Sequence, residues 1–398
     1  MFIAKKIYCR IFQKAFRLVI PVLPYRKPEI VEGFPQLIPI LKEKKISSVL
    51  LVTDKGIRKA RLTEPLERLL EENGIACNIY DSTVANPTVT NVEEARELYL
   101  AKECQAIIAL GGGSSIDCAK ACGARIASPG QSLAQMEGIL KVHRKLPPLI
   151  AIPTTAGTGS ETTLAAVITD PKTHHKYPIN DFALIPRYAV LDAEVTRSLP
   201  PSLTASTGMD ALTHAVEAFI GHSTTRQTRE DALSAVSLIF DNLRTAYYDG
   251  NNMEARRNML EAAYLAGSAF TVSYVGYVHA VAHSLGGRYG TPHGLANAIL
   301  LPYVLESYGS SAHKKLHQLA IAAGLCSNEV SHKEGAERFI QAVKEMKAEF
   351  HLEDSSIRVI EKDIPRLAYF ASKEANPLYP VPKLMSRKEL EQFYRIFI

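Results

Sequence analysis

The strongest constraint on how this chain can fold is a change of pattern near Leu199–Pro201. Before that point, short apolar runs alternate with helical repeats. ISSVLLVTD, from Ile46, reads as a buried strand closed by a turn at Lys55–Gly56, and Arg61–Asn73 carries leucines at helical spacing up to Gly74. CNIYD is a second strand, Val92–Lys102 a helix and QAIIAL a third strand. GGGSSIDCAKACGARIA turns sharply into a helix, and LPPLIAIPTT supplies a fourth strand. Such alternation predicts a parallel sheet with helices on both faces. From Ser206 the texture is helical throughout: MDALTHAVEAFI, DALSAVSLIFDNL, MLEAAYLAGSAF, VHAVAHSLGG, KKLHQLAIAAG and ERFIQAVKEMKAEF. NPLYPVPK reads as a loop before a last short helix. A chain of 398 residues exceeds what one hydrophobic core usually supports. The expected organisation is an α/β domain over residues 29–200 and an all-α domain over 201–398.

Residues 1–28 form a basic extension. They carry Lys5, Lys6, Arg10, Lys14, Arg17, Arg26 and Lys27, and no acid precedes Glu29. Three readings stay open: a membrane-surface helix, a transit peptide for mitochondrial import, or an extension packed on the body. Leu18–Leu23 is far too short to span a bilayer, which takes about 20 residues. The net charge of +5 over this length gives no reason to expect nucleic acid as a partner. Cys9, Cys77, Cys104, Cys118, Cys122 and Cys326 show no C-x-x-C pair and read as buried thiols in a reducing compartment, so a cytoplasmic location is expected.

Two constellations carry chemistry. Asp210 and His214 stand at i, i+4 in a helical segment and leave the same face; His279 and His283 repeat that spacing, and His293 follows a Gly-rich turn. One carboxylate and four imidazoles suit a catalytic divalent ion such as zinc or ferrous iron. Each pair alone is ordinarily a surface or core feature. The apolar surroundings (ALTHAVEAF, YVHAVAHSL) change the odds, because burying such groups without partners is costly. His143, His174, His175, His313, His317, His332 and His351 sit among charged or loop residues and read as solvated; nothing singles out His222.

The second constellation is Gly111, Gly112, Gly113, Ser114 and Ser115. It follows a strand and opens a helix at Ile116, where backbone N–H groups can bind a pyrophosphate. It is not G-x-G-x-x-G, so the ribose-binding acid is sought elsewhere. Asp54, at the end of the first strong strand, can reach a ribose hydroxyl and would repel a 2′-phosphate, favouring NAD over NADP; equally, it can cap the next helix. PTTAGTGSE supplies Thr154, Thr155 and Thr158 as further donors to phosphates or nicotinamide.

Together GGGSSIDCAK, IPTTAGTGSE, TGMDALTHAVEAF and GYVHAVAHSLGGRYGTPHGLANAILLP resemble the iron-containing (group III) alcohol dehydrogenase family, over roughly residues 27–398. The resemblance implies a Rossmann-like N-terminal domain, an all-helical C-terminal domain (the dehydroquinate synthase-like fold) and an active site in the cleft between. It implies metal ligation by Asp210, His214, His279 and His293, with ferrous iron expected first and zinc second. It places His283 near nicotinamide and substrate, as a proton relay or orienting group, and Phe270 against the substrate. Asp54, the 111–115 loop, Asp117, Thr154 and Thr155 fall at cofactor positions. The implied activity is NAD(P)-dependent interconversion of primary alcohols or diols and aldehydes, in a homodimer or higher homo-oligomer. Rival readings are a polyol dehydrogenase, a hydroxyacid–oxoacid transhydrogenase, or a catalytically silent assembly protein. NPLYPVPKL is longer than the family's usual ending and bears on the substrate.

Overall fold

The computed structural model describes residues 2–172 and 175–398; His174, read above as solvated, lies outside them. Nine strands are present among these residues: β1 (Glu29–Val31), β2 (Ser48–Val52), β3 (Ala76–Tyr80), β4 (Ala106–Gly111), β5 (Gly138–Ile139), β6 (Leu149–Pro153), β7 (Ala165–Asp170), β8 (His175–Asn180) and β9 (Tyr188–Val190). In the first half they alternate with α1 (Phe2–Val19), α2 (Leu37–Glu43), α3 (Lys55–Lys59), α4 (Glu64–Glu72), α5 (Val89–Ala101), α6 (Gly113–Ala127) and α7 (Leu133–Met136). The second half is helical: α8 (Pro201–Ile220), α9 (Arg226–Tyr248), α10 (Met253–Ser273), α11 (Tyr277–Tyr289), α12 (His293–Tyr308), α13 (His313–Ala322), α14 (His332–Glu349), α15 (Ile364–Ala375) and α16 (Arg387–Arg395).

The main sheet has the order β1-β9-β6-β4-β2-β3 and is parallel throughout. Its central strands bury alternate residues on opposite faces. Leu50, Val52, Ile107 and Ala109 pack with Val92, Ala95, Ile116 and Ala119 of α5 and α6. Val49, Leu51, Ile108 and Leu110 pack with Leu37, Leu41, Leu66 and Leu70 of α2 and α4. Burial on both faces explains why these strands read as continuous apolar runs. Because β6, β4 and β2 are adjacent and parallel, the loops that follow them lie together at the carboxyl ends of these strands. These are the loops that carry Asp54, Gly111–Ser115 and Thr154–Thr155.

Sequence reading passed over β1, β5, β7, β8 and β9. β1 and β9 are three residues each, and β8 reads HKYPIN, with exposed polar residues and an internal proline. β8 pairs antiparallel with β7 and, only at Ile179 and Asn180 beyond the proline, parallel with β5 in a small separate sheet.

The chain divides into two compact units that interleave in sequence. The α/β unit comprises Pro24–Leu199 and Gly250–Tyr264; the helical unit comprises the chain up to Leu23, Pro200–Asp249 and Leu265–Ile398. Two segments therefore cross the linear division expected from the sequence. Residues 250–264 join the α/β unit because Tyr264 donates to Pro28 O at 2.6 Å and buried Arg256 donates to Leu199 O at 3.2 Å. The N-terminal extension joins the helical unit as α1. Its inner face buries Cys9 and Gln13, and Ile20 just past its end is buried too, while Ile7, Ile11 and Leu18 are exposed on the outer face. Among the described residues, no single helix is long and apolar enough to cross a membrane.

One histidine reading is corrected. His317 is buried rather than solvated, because α14 approaches so closely that a Cβ at Gly335 would stand 2.2 Å from the imidazole ring. Polar sequence neighbours faced solvent and concealed a packed position.

Ile108→Ala is expected to lower stability by about 2–5 kcal/mol, since β4 is enclosed on both sides and cannot collapse around the cavity. Chemical denaturation with an unchanged m value would show this.

Candidate metal centre and nucleotide loop

α8 is buried from Gly208 to Ile220. In a helix enclosed on all sides, each polar residue needs a partner or a ligand. Asp210, His214 and Glu217 succeed one another along one face of α8. Opposite them stand His279 in the first turn of α11 and His293 at the first position of α12. One ligand atom from each of Asp210, His214, His279 and His293 lies within 4.8 Å of the others. The first three residues are buried, and the His293 side chain is 37% exposed, so the cluster opens on the His293 side.

The residues fit a divalent ion. His279 is buried, its Nδ1 lies 2.7 Å from Glu217 Oε2, and its Nε2 has no hydrogen-bond partner. A buried ring nitrogen left in that state is costly unless something electrophilic occupies its lone-pair direction. Carboxylate-to-imidazole hydrogen bonding of this kind fixes the tautomer of metal-ligating histidines. Burial, reinforced by His214, His293 and His283, holds His279 well below the ordinary imidazole pKa, so it stays neutral and able to ligate. Three imidazoles and one carboxylate are donors that suit Fe²⁺ or Zn²⁺.

Glu217 is the residue that sequence reading missed. Besides His279, its carboxylate accepts from the backbone N–H groups of Gly276 (2.7 Å) and Val278 (2.8 Å). Burial raises its pKa to about 7 against the pull of these three donors. Gly276 is required by this approach, because a Cβ there would stand 2.6 Å from Glu217 Oε1. A signal was present in the sequence: Glu217 follows Asp210 by seven residues, two helical turns along the same apolar stretch. Asn297, one turn into α12, was also missed; its Nδ2 donates to Asp210 Oδ1 at 2.7 Å.

Phe270 stacks on His214, with ring centroids 4.2 Å apart and planes at 15°. His283 stands beside the cluster, its ring centroid 5.1 Å from that of His293. Its Nδ1 lies 2.6 Å from Glu374 Oε1 of α15, and the same oxygen accepts from Tyr379 at 2.7 Å. Neither Glu374 nor Tyr379 was singled out by the sequence.

In the α/β unit, α6 begins at Gly113, three residues before the expected Ile116, with Gly112 as its N-cap. A Cβ at Gly111 would stand 2.5 Å from Ser115 Oγ, and one at Gly113 would stand 3.1 Å from Thr158 Oγ1. The same construction at Gly112 comes within 3.7 Å of Thr155 Oγ1. Glycine therefore lets the two loops approach, leaving backbone N–H groups at a helix N-terminus lined by hydroxyls. Thr154, buried, donates its N–H to Gly111 O at 3.0 Å. Ser114 Oγ accepts from Asn86 N.

Asp54 has the capping role, the second of the two considered for it. Oδ1 caps α3 by accepting from Gly56 N and Ile57 N, while Oδ2 accepts from Ser115 Oγ at 3.4 Å. Asp117 binds the segment that follows Thr158. It is half-buried, and it accepts from Ser160 Oγ at 2.7 Å and Val167 N at 3.0 Å. Burial raises its pKa, and Lys120 opposes that shift. Lys120 Nζ donates to Thr163 O, Thr163 Oγ1 and Ala165 O within 2.9 Å. Asp117 and Lys120 thus fasten the segment after Thr158 to α6.

Residues 31–193 match the family described as iron-containing alcohol dehydrogenase, and residues 204–397 match the C-terminal part of the Fe-containing alcohol dehydrogenase family. The chain is 41% identical to alcohol dehydrogenase 4 of Schizosaccharomyces pombe over 85% of its own length and 81% of the relative's. It is 37% identical to 1,3-propanediol dehydrogenase of Citrobacter freundii, over 96% and 98%. A crystal structure of a 1,3-propanediol oxidoreductase superposes with a TM-score of 0.89 at 35% identity, covering 94% of this chain and 99% of that one. The chain belongs to the iron-containing alcohol dehydrogenase family.

Glu217→Ala is expected to weaken divalent-ion binding about 10–100-fold while the protein stays folded. Metal titration of the apoprotein, with circular dichroism as the control, reads both quantities. Ion uptake by the wild type is also expected to hold through the ordinary imidazole range and to fall only at lower pH, because the imidazoles must be neutral to ligate and that of His279 is held well below its usual pKa.

Proposed function

We propose that this protein reversibly oxidises a primary alcohol or diol to the aldehyde, with NAD as the hydride acceptor. The divalent ion would be held by Asp210, His214, His279 and His293, with ferrous iron expected before zinc. The observation that carries this reading is His279, whose Nδ1 is fixed by buried Glu217 while Nε2 is presented to three other ligand atoms. An ion held there would supply a Lewis acid that lowers the pKa of an alcohol hydroxyl. NAD, when bound, would supply the hydride acceptor for the alcohol carbon.

The chain's own residues do the positioning. Glu217 keeps His279 in one tautomer, and Asp210 brings the only negative charge among the four ligands. Phe270 covers one face of His214 and leaves less room for water. His283, engaged through Nδ1 with Glu374, has a second ring nitrogen with which to pass a proton toward solvent. Gly111–Ser115 and Thr158 would receive the pyrophosphate. Asp54 would receive the ribose hydroxyls and repel a 2′-phosphate, which favours NAD over NADP.

The test is an NAD-linked assay of anaerobically purified, metal-loaded protein on C2 to C6 alcohols and diols. Turnover with free NAD is expected. Tight retention of nucleotide with turnover only in the presence of an oxoacid would replace this reading with a transhydrogenase. A His279→Ala, His293→Ala double variant is expected to lose about a thousandfold in kcat/KM, the scale of several kcal/mol of charge stabilisation. Asp54→Ala is expected to narrow the preference for NAD over NADP about tenfold or more, read as the ratio of kcat/KM values.

A further inference from the structure

Residues 376–382, Asn-Pro-Leu-Tyr-Pro-Val-Pro, contain three prolines. Each proline removes a backbone donor, so the segment is rich in carbonyl acceptors and poor in the N–H groups that would hold it to itself. His222 N–H donates to Pro380 O and Val381 N–H to Tyr379 O, and the side-chain donors come chiefly from α1. Gln13, buried at 4% exposure, gives Nε2 to Tyr379 O at 2.8 Å and to Pro377 O at 3.1 Å. Arg10 gives Nη1 to Val381 O at 2.8 Å and Nη2 to Pro382 O at 2.9 Å, and its Nη1 also donates to Gln13 Oε1. Four carbonyls of one short segment are thus bound by two side chains one helical turn apart on α1. Phe16, on the same helix, packs edge-on against Tyr274, whose N–H donates to Phe270 O at 2.7 Å.

The segment leads directly to the candidate proton-handling histidine. Tyr379 is buried, and its hydroxyl donates to Glu374 Oε1, the oxygen that faces His283 Nδ1. The Tyr379 backbone is held on one side by Ala375 O and on the other by Gln13.

We infer that α1 is a positioning element of the active site. Gln13 and Arg10 fix residues 377–382 so that Tyr379 and Glu374 hold the imidazole of His283 in its working orientation. This rests on the reading that His283 serves the reaction. It assigns the basic N-terminal segment a role in turnover, with Arg10 and Gln13 as positioning residues that touch neither substrate nor ion.

The test uses the full-length, metal-loaded protein and a double-mutant cycle. Arg10→Met with Gln13→Met keeps side-chain volume and removes the donors. Rates are expressed per bound metal ion, so that lost occupancy is not counted as lost catalysis. The Arg10, Gln13 variant is expected to lose about tenfold in kcat, consistent with the sensitivity of catalysis to small displacements. KM for NAD is expected to stay within about twofold. In a His283→Ala background the same pair of changes is expected to cost less than about twofold, since the group being positioned is gone. Arg10→Lys, which keeps one donor, is expected to recover part of the loss. The inference is overturned by an unchanged kcat in the Arg10, Gln13 variant. It is overturned equally by a loss that vanishes per bound ion, or by one that persists at full size without His283. A His283→Ala variant with wild-type kcat would instead sink the role given to His283 under the proposed function, and the inference with it.

Discussion

The candidate metal centre depends on one buried hydrogen bond, from His279 Nδ1–H to the Glu217 carboxylate. Burying a carboxylate costs several kcal/mol unless donors surround it. Here the donors are His279 and the backbone N–H groups of Gly276 and Val278, at the N-terminus of α11. One side chain therefore satisfies the otherwise unbonded N–H groups of a helix start and fixes the imidazole in that helix's first turn. The arrangement ties α11 to α8, which also carries Asp210 and His214. Rigid spacing of three of the four ligand residues follows from this link. His293 enters from the first residue of α12, where Asn297 reaches back to Asp210.

Much of the α/β unit was legible because its central strands are enclosed on both faces. Leu50 and Leu51 point to opposite cores, so the run between Ser48 and Val52 has no polar face to confuse with a loop. The elements that escaped notice lack that signature. Two of the missed strands of the main sheet are too short to show a period, and β8 alternates exposed and buried residues around a proline. The extension at the N-terminus left three readings open, since an amphipathic basic helix looks alike on a membrane, in a transit peptide or on a protein surface. In the structure the extension packs on the body through Gln13, a polar residue buried against carbonyls more than 360 residues away in the chain.

For the site, helical spacing singled out Asp210 with His214 and His279 with His283, and their apolar neighbours marked them as costly to bury. Spacing could not separate His283 from His279, because both lie on one face of α11. What distinguishes them is the carboxylate each imidazole meets, Glu217 or Glu374, at separations of 62 and 91 residues. Such long-range partners leave no local trace, since a glutamate in a helix is unremarkable. Asp117 shows the reverse: its place in GGGSSIDCAK suggested the cofactor, whereas its carboxylate faces Ser160 and Val167 and acts on the loop bearing Thr158.

The central claim is that three imidazoles and one carboxylate form the protein's share of a mononuclear divalent-ion site. X-ray absorption at the metal edge of the anaerobically purified protein tests it most directly. The expected spectrum shows a shell of nitrogen and oxygen donors near 2.0–2.2 Å with the multiple-scattering pattern of about three imidazoles and no sulfur. A spectrum with sulfur ligands, or one of an oxygen-only shell without imidazole scattering, would contradict the account.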